Sequence, residues 1–520
     1  MVKCNGINGH VEGTEEYSKS QIQEYIKEFL NHSNKYEGKA THESFKETSG
    51  WEYIVKCLKS IQKEEKGEVD AQVLNKYEAY CYILNKYEIF EQVVRIVEGL
   101  RKGEGEKMKL FGLPVAVKDN LTVKDIPFSN GETKGPYKPS YTATSVKSLV
   151  EQGIIVIGKT KLNGFGVGSN TSDVINPLGE EYIVGGSSGG SAVAVSGNTV
   201  TCAVGTDTGG SVRCPAAFAA SVGYRPSHGA ISRYGMSELC GDFDTIGFIT
   251  NNVDQAMIMA YIAIGYDKKD MHMRLEVEEL KRKMAEVVNR TNTAKRMING
   301  WKPLESLKIG MFDPEEIYRL GYIDEENKKN MEKVKKITKK LGAEVVIVEP
   351  LELRECTGLY YLKSAKNVAT NLRRFKNYPY QKKKKCCLKE FLLNLDPRIK
   401  ERFLLGEYVK EVEFEVEKLF EDKKKELIDW VEKNKMFKEV EFLITPTTSE
   451  VLPLKNEDYQ SRNVYMLDIF ETVAPILGVC SISLPMRDGT RPNAFQITGG
   501  YLQDHRLFEI SRIYEENMGE

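Results

Sequence analysis

The sequence carries almost no net charge: Lys+Arg minus Asp+Glu is 74 − 75 = −1 over 520 residues. A chain so evenly balanced lacks the field that would gather nucleic acid or an anionic membrane by itself. Proline is scarce at 17 residues, and with 41% hydrophobic and 29% charged residues the composition is neither collagenous nor disordered but globular. The ten cysteines, at 4, 57, 81, 202, 214, 240, 356, 386, 387 and 480, form no C-x-x-C pair and no even ladder. That usage fits a thiol-reducing compartment better than secretion, and it provides no Cys-rich zinc site. No apolar run approaches the roughly 20 residues needed to cross a bilayer. The longest, around Met257 to Ile264, reads as a buried helix. No basic n-region precedes an apolar h-region at the N-terminus, and Glu12, Glu15 and Glu16 argue against an ordinary Arg-rich, acid-poor transit peptide.

What is present falls into zones. Residues 1 to about 105 are rich in Lys, Glu and Tyr, with apolar positions at helical spacing such as Ile54, Leu58 and Ile61, then Val93, Val94 and Val97. This predicts a helical N-terminal segment packing on the remainder, residues 106–520. From Leu110 to about Gly265 short apolar runs, including Val115 to Val117 and Ile154 to Ile157, alternate with glycine-rich turns, which predicts an α/β sheet. Further strands are expected at Leu307 to Phe312, Val345 to Val348 and Phe442 to Ile444, with helices at Ile323 to Leu341 and from Gln503 to about Asn517. Lysine-rich helices fill the interval to about Lys438. The run Lys382 to Lys385, near Arg373, Arg374 and Lys376, reads as a solvated insertion loop.

Three glycine-rich signals compete. Gly153-Ile-Ile-Val-Ile-Gly158-Lys159-Thr160 satisfies the P-loop expression G-x-x-x-x-G-K-[ST]. A phosphate cradle needs a flexible loop with inward N–H groups, and the β-branched residues here predict the strand itself instead. Gly186-Ser187-Ser188-Gly189-Gly190 satisfies G-x-S-x-G, which would make Ser188 a nucleophile. That chemistry needs a later histidine, and His228, His272 and His505 stand in no catalytic context. The third reading joins Gly185-Gly186-Ser187-Ser188-Gly189-Gly190-Ser191 to Gly205-Thr206-Asp207-Thr208-Gly209-Gly210-Ser211-Val212-Arg213, two turns flanking one short strand. Serine is a weak nucleophile until a base removes its proton. In Gly112-Leu113-Pro114-Val115-Ala116-Val117-Lys118-Asp119-Asn120 a single lysine ends an apolar strand, and desolvation there would favour its neutral amine.

On these three stretches, in this order and with a serine separation of 211 − 187 = 24, the chain resembles the amidase signature family. The resemblance is strong over residues 110 to 265, thinner over 300 to 515 and nearly gone before residue 75. It implies an α/β fold with a central mixed β-sheet covered by helices on both faces, and a Ser–cis-Ser–Lys triad. Lys118 would be the base, Ser187 the bridging serine and Ser211 the nucleophile. Backbone N–H groups of Thr208, Gly209, Gly210 and Ser211 would form the oxyanion hole, where side chains would block the donors.

Within the family the chain is most similar to the A subunits of tRNA-dependent glutamyl/aspartyl amidotransferases. Ser232-Arg-Tyr-Gly235, Tyr360-Tyr361 followed by Asn371-Leu372, Ile399-Lys-Glu-Arg402-Phe-Leu-Leu-Gly406 and Tyr465-Met-Leu-Asp468-Ile-Phe470 carry that likeness. It implies that Arg402 holds the α-carboxylate of glutamine and Asp468 its α-ammonium. It also implies a GatB-like partner and a small GatC- or GatF-like one, with ATP, Mg²⁺ and most tRNA contact on the partner and no metal or cofactor on this chain. The compartment would be a mitochondrial or plastid matrix in a eukaryote and the cytoplasm in a prokaryote. Two features depart from the family pattern: Lys161-Leu-Asn163-Gly164-Phe165 lacks the usual acidic pair, and Val184 replaces the usual proline. The rival readings are a stand-alone amidase for small amides, sharing all three triad residues, and a catalytically idle structural protein of the same complex. The pair Arg402 and Asp468 separates the first rival from the amidotransferase reading, because a neutral substrate has no use for both charges.

Overall fold

The structure is a computed structural model that describes residues 17–35, 46–65, 67–132, 136–290, 303–375, 392, 395–455, 466–486 and 491–518. The Lys382 to Lys385 run lies outside the described residues. One mixed sheet of 11 strands organises these residues. In chain order the strands are β1 (Tyr80–Ile83), β2 (Pro114–Lys118), β3 (Ile155–Thr160), β4 (Cys202–Asp207), β5 (Val222–Arg225), β6 (Thr245–Thr250), β7 (Lys308–Met311), β8 (Glu344–Ile347), β9 (Phe442–Pro446), β10 (Ser481–Met486) and β11 (Asn493–Thr498). Their order across the sheet is β1-β3-β2-β4-β6-β5-β10-β11-β9-β7-β8.

Eight of these strands, β2 to β6 and β9 to β11, are buried at every residue irrespective of parity. Burial at both alternating positions requires cover on both faces, which is why these strands read as continuous apolar runs. Both edges differ. β8 is largely exposed, while β1 is a four-residue strand running antiparallel to β3. The segment before residue 105 therefore contributes a strand as well as the helices Lys19–Lys35, Ser49–Gln62 and Lys86–Arg101. Helical periodicity does not register so short a strand, since four residues barely exceed one helical turn. Ile54, Leu58, Val93 and Val97 of those helices enter the same apolar core as Val115, Ile157 and Phe248 of the sheet.

The expected elements at Val115 to Val117, Ile154 to Ile157, Leu307 to Phe312 and Phe442 to Ile444 are strands β2, β3, β7 and β9. The apolar run Met257 to Ile264 lies largely in the helix Val253–Ala263, whose residues are mostly buried. Among the described residues no helix is long and apolar enough to cross a membrane. A second apolar cluster, including Phe243, Tyr360, Phe403, Phe420 and Phe470, packs the helices Leu353–Phe375, Pro397–Glu411 and Glu413–Lys433 beside the sheet. The site lies between that cluster and the strand ends.

Candidate active site

Strands β3, β2 and β4 are adjacent and parallel, so their carboxyl ends open on the same side of the sheet. In open α/β sheets that is where connecting loops converge on a ligand. Lys118 is the last residue of β2 and is fully buried. Its Nζ donates to Ser187 Oγ and to Thr206 Oγ1, each at 2.8 Å. Burial pulls the amine down from its ordinary 10.5 to about 7, against the opposing pull of Asp207 and Asp244. Burial thus favours the neutral amine, the form a general base requires.

Ser187 follows the cis peptide bond Gly186–Ser187 in the turn that leads into the helix Gly189–Ser196. Ser211 sits in the next glycine-rich turn, after β4, and the two turns are tied by Ser188 N–H donating to Ser211 O at 3.2 Å. Ser188 itself is wholly buried, with its Oγ donating to Thr206 O at 3.2 Å and accepting from Thr206 N–H at 3.4 Å. Among the described residues no histidine borders this site, and His228 is bonded to Gly241 O.

The 207 to 213 turn is held by a buried ion cluster. Asp207 receives Arg213 Nε at 3.1 Å and Arg225 Nη1 at 2.8 Å, and all three side chains are fully buried. Burial alone would raise the Asp207 carboxyl, but the two guanidiniums hold it well below the usual carboxylate range. The same carboxylate accepts from Gly210 N–H at 3.1 Å. That hydrogen bond occupies the Gly210 N–H, one of the groups expected in the oxyanion set. Gly210 has φ +131, and a Cβ there would meet Glu471 Oε2 at 2.4 Å; at Gly209 it would meet the Tyr360 ring at 2.3 Å. These clashes explain both glycines. Thr208 is anchored through its hydroxyl to Asp244 at 2.6 Å, and Asp244 also accepts the N–H groups of Leu239 and Cys240.

A pocket opens over Ser211, bordered by Gly166, Ser169, Gly209, Leu239, Tyr360, Tyr361, Arg402 and Asp468. The two charged residues expected from sequence thus meet the expected nucleophile, although 191 and 257 positions of chain separate them from it. Arg402, on the helix Pro397–Glu411, lies over the Tyr361 ring at 4.2 Å and donates to Ser364 Oγ at 3.1 Å. Asp468 Oδ2 accepts from Tyr361 at 2.5 Å and from Ser169 at 2.8 Å. Burial raises its carboxyl to about 6, with the two hydroxyls and Arg402 pulling the other way. The pocket therefore pairs a cation with an anion beside a serine linked through its turn to a serine–lysine hydrogen bond.

The two departures in the sequence have structural counterparts. Asn163 donates to Asn170 O at 2.7 Å and accepts from Thr171 Oγ1 at 3.0 Å, bracing the loop that walls the pocket. Val184, having the N–H that proline lacks, donates to Asn170 Oδ1 at 3.3 Å. Lys159 of the P-loop-like stretch is wholly buried in β3 and pairs with Asp119 at 2.7 Å, so it holds no phosphate. Sequence reasoning missed Asp244, Glu471 and the Asp207–Arg213–Arg225 cluster as parts of the site. The signal available for the last was a pair of arginines within otherwise apolar, glycine-rich stretches.

A buried lysine–serine hydrogen bond, with a second serine in the neighbouring turn, is an arrangement suited to amide hydrolysis. The family described as Amidase matches residues 71–508, so the chain belongs to that family. Among curated relatives, the A subunit of the glutamyl-tRNA(Gln) amidotransferase of Thermotoga maritima is 31% identical over 430 residues, covering 79% of this chain and 86% of its own. Its counterpart in Clostridium botulinum strain Hall is 30% identical over 472 residues, covering 85% and 90%. The crystal structure of the Thermotoga maritima protein superposes with a TM-score of 0.66 at 25% identity, over 92% of this chain and 95% of that one. A bacterial aryl acylamidase shares the fold with a TM-score of 0.70 at 18% identity, over 96% of each chain.

Proposed function

We propose that this chain is the glutamine-hydrolysing component of a tRNA-dependent amidotransferase, with Lys118, Ser187 and Ser211 as its catalytic triad. One observation carries the reading: Arg402 and Asp468 line the same pocket as Ser211. An α-amino acid brings a carboxylate and an ammonium to its receptor, and an Arg fork and a carboxylate answer those two groups. The names of the curated relatives support the same substrate class.

In this reading neutral Lys118 takes a proton from Ser187 Oγ as Ser187 takes one from Ser211 Oγ, and Ser211 attacks the side-chain amide carbon of glutamine. The tetrahedral oxyanion is received by the N–H groups of Thr208, Gly209 and Ser211. The proton returns by the same route to the amide nitrogen, ammonia leaves, and a γ-glutamyl ester remains on Ser211. Water activated by the same lysine–serine relay then releases glutamate. Ammonia passes to a GatB-like partner, with a small GatC- or GatF-like protein completing the assembly. The GatB-like partner would hold ATP and Mg²⁺, which would supply the activation of the glutamyl group of Glu-tRNA(Gln). The nucleotide and most of the RNA then contact the partner, in keeping with a chain of net charge −1.

The test is ammonia release from glutamine by the purified chain, alone and with a co-expressed partner, ATP, Mg²⁺ and mischarged tRNA, beside a panel of simple amides. Glutamine hydrolysis stimulated by the complex, and abolished in Ser211→Ala, is expected. Brisk hydrolysis of simple amides without preference for glutamine would replace this reading with that of an independent amidase.

A further inference from the structure

Glu471 lies one turn beyond Asp468, is 0% exposed, and neither of its side-chain oxygens has a hydrogen-bond partner among the described residues. A buried carboxyl left so is a costly exception in a folded protein and calls for a chemical reason. The nearest guanidinium does not supply one. Arg213 directs Nε to Asp207 and Nη1 to Gln496, and its Nη2 donates to Asp207 and to the backbone oxygen of Glu471, not to the carboxyl. What the carboxyl does face is the Asp468 carboxylate and the Cys214 thiol, with the donor atoms of all three within 4.8 Å of one another. Its other side packs on Gly210, in the turn that carries Ser211.

Two carboxylates buried so close cannot both ionise cheaply, and a single proton satisfies the pair. We propose that Glu471 is a neutral acid whose O–H is donated to the Asp468 carboxylate, so that the pair holds one proton and Asp468 presents the negative charge to the substrate ammonium. Glu471 is thereby a positioning residue for the amino-acid pocket, and the inference rests on Asp468 as the ammonium receptor. The hydrogen-bonding pattern assigns the proton to Glu471. Asp468 already receives the hydroxyls of Ser169 and Tyr361, which stabilise an anion, whereas no hydroxyl is directed at Glu471 and the Cys214 N–H turned toward it is committed to Gly210 O at 2.9 Å. Burial pushes the Glu471 carboxyl well above its ordinary value, with Arg213 opposing and Asp468 and Asp207 reinforcing the rise. The Cys214 thiol is likewise raised by burial, and so adds no charge to the group. Arg402 faces Asp468 from the helix Pro397–Glu411, and Tyr360 and Tyr361 face it from the helix Leu353–Phe375. The pair therefore keeps one negative charge opposite the guanidinium. It also couples the ammonium receptor to the nucleophile's turn through the contact with Gly210.

The experiment compares wild type, Glu471→Gln and Glu471→Met. Glutamine KM is measured from pH 5 to 8, and the substrate-free proteins are examined by infrared difference spectroscopy. Glutamine affinity in the wild type should fall as pH drops through about 6, the value to which burial raises Asp468. Glutamine at 471 retains a neutral donor, so Glu471→Gln should keep KM within about twofold and leave that limb in place. Methionine retains the volume but not the donor, so in Glu471→Met the limb should move about one unit to higher pH and KM at pH 6.5 should rise several-fold, because the anion loses a hydrogen bond. A residue that merely filled space would leave the limb unmoved. The infrared arm needs neither substrate nor the methionine variant to fold: a protonated-carboxyl band in the wild type at pH 7 should vanish in Glu471→Gln. Absence of that band, an unmoved limb in Glu471→Met, or equal shifts in both variants would overturn the inference. A chain that shows the band but hydrolyses no glutamine would refute the proposed activity and leave the neutral Glu471 standing.

Discussion

Replacing the buried base should stabilise the protein while silencing it. Lys118 is fully buried and its amine is lowered from 10.5 to about 7. At 1.36 kcal/mol per unit, the folded state at pH 7 carries a burden of about 4 kcal/mol relative to an unfolded chain whose lysine is freely charged. Methionine has similar length and no charge, so Lys118→Met removes that burden. It also removes the hydrogen bonds to Ser187 and Thr206, about 1 kcal/mol each. The variant should therefore be about 2 kcal/mol more stable than the wild type at pH 7, with glutamine hydrolysis abolished. Between pH 7 and 10.5 the unfolded wild type binds more protons than the folded one, so wild-type stability climbs with pH and the advantage of the variant shrinks. The expected slope of the difference is about 1.4 kcal/mol per pH unit, with a change of sign by about pH 9. Urea unfolding of both proteins at pH 7, 8 and 9 measures it, and every other titrating group cancels in the difference. A stability difference that does not vary with pH would refute the depressed amine and, with it, the role of Lys118 as a neutral base.

Three further outcomes follow from the site. Arg402→Ala should raise the glutamine KM about 10- to 100-fold, the worth of a charge-assisted hydrogen bond, yet barely alter hydrolysis of 4-aminobutanamide, which lacks the α-carboxylate; equal losses on both substrates would remove Arg402 from carboxylate recognition. Asp207→Asn leaves Arg213 and Arg225 buried without their shared anion, which should cost about 3–5 kcal/mol in urea unfolding; a loss under about 1 kcal/mol would show that the cluster does not hold the turn. Gly210→Ala places a methyl group 2.4 Å from Glu471 Oε2 at φ +131, so turnover should fall at least about 100-fold with circular dichroism unchanged; near-normal turnover would mean that the turn can yield without moving Ser211.

Much of the central sheet was legible in the sequence because β2, β3 and β4 are runs of apolar residues buried on both faces and punctuated by glycine. β10 and β11 were not, although they pair with each other across a short connection, because Ser481, Ser483 and Pro485 in one and Asn493, Gln496 and Thr498 in the other break up the apolar run. The meeting of Lys118 with Ser187, and of the turn of Ser187 with that of Ser211, was readable because these residues sit in stretches whose residue order is distinctive. Glu471 carried no such mark, since an isolated glutamate between Phe470 and Thr472 looks like any exposed helical residue until its burial is seen. Gly210 shows the limit of the reverse inference. Its glycine suggested an open N–H for the oxyanion, whereas that N–H is engaged by Asp207 and the glycine is needed for its left-handed backbone and the approach of Glu471.

The placement of Asp207 explains how the fold keeps a lysine neutral next to acids. Asp207 ends β4 as Lys118 ends β2, and the two strands are parallel neighbours, so the carboxylate lies where it would hold the amine charged. Arg213, from the turn that carries Ser211, and Arg225, from β5, both take that carboxylate instead. Asp207 and Asp244 still pull the Lys118 amine upward, but desolvation outweighs both. In the proposed mechanism, the arginines that hold the turn of Ser211 also keep the Asp207 carboxylate bonded away from Lys118. Any substitution that loosens the ion cluster should therefore disturb the pH profile of turnover as well as the stability of the fold.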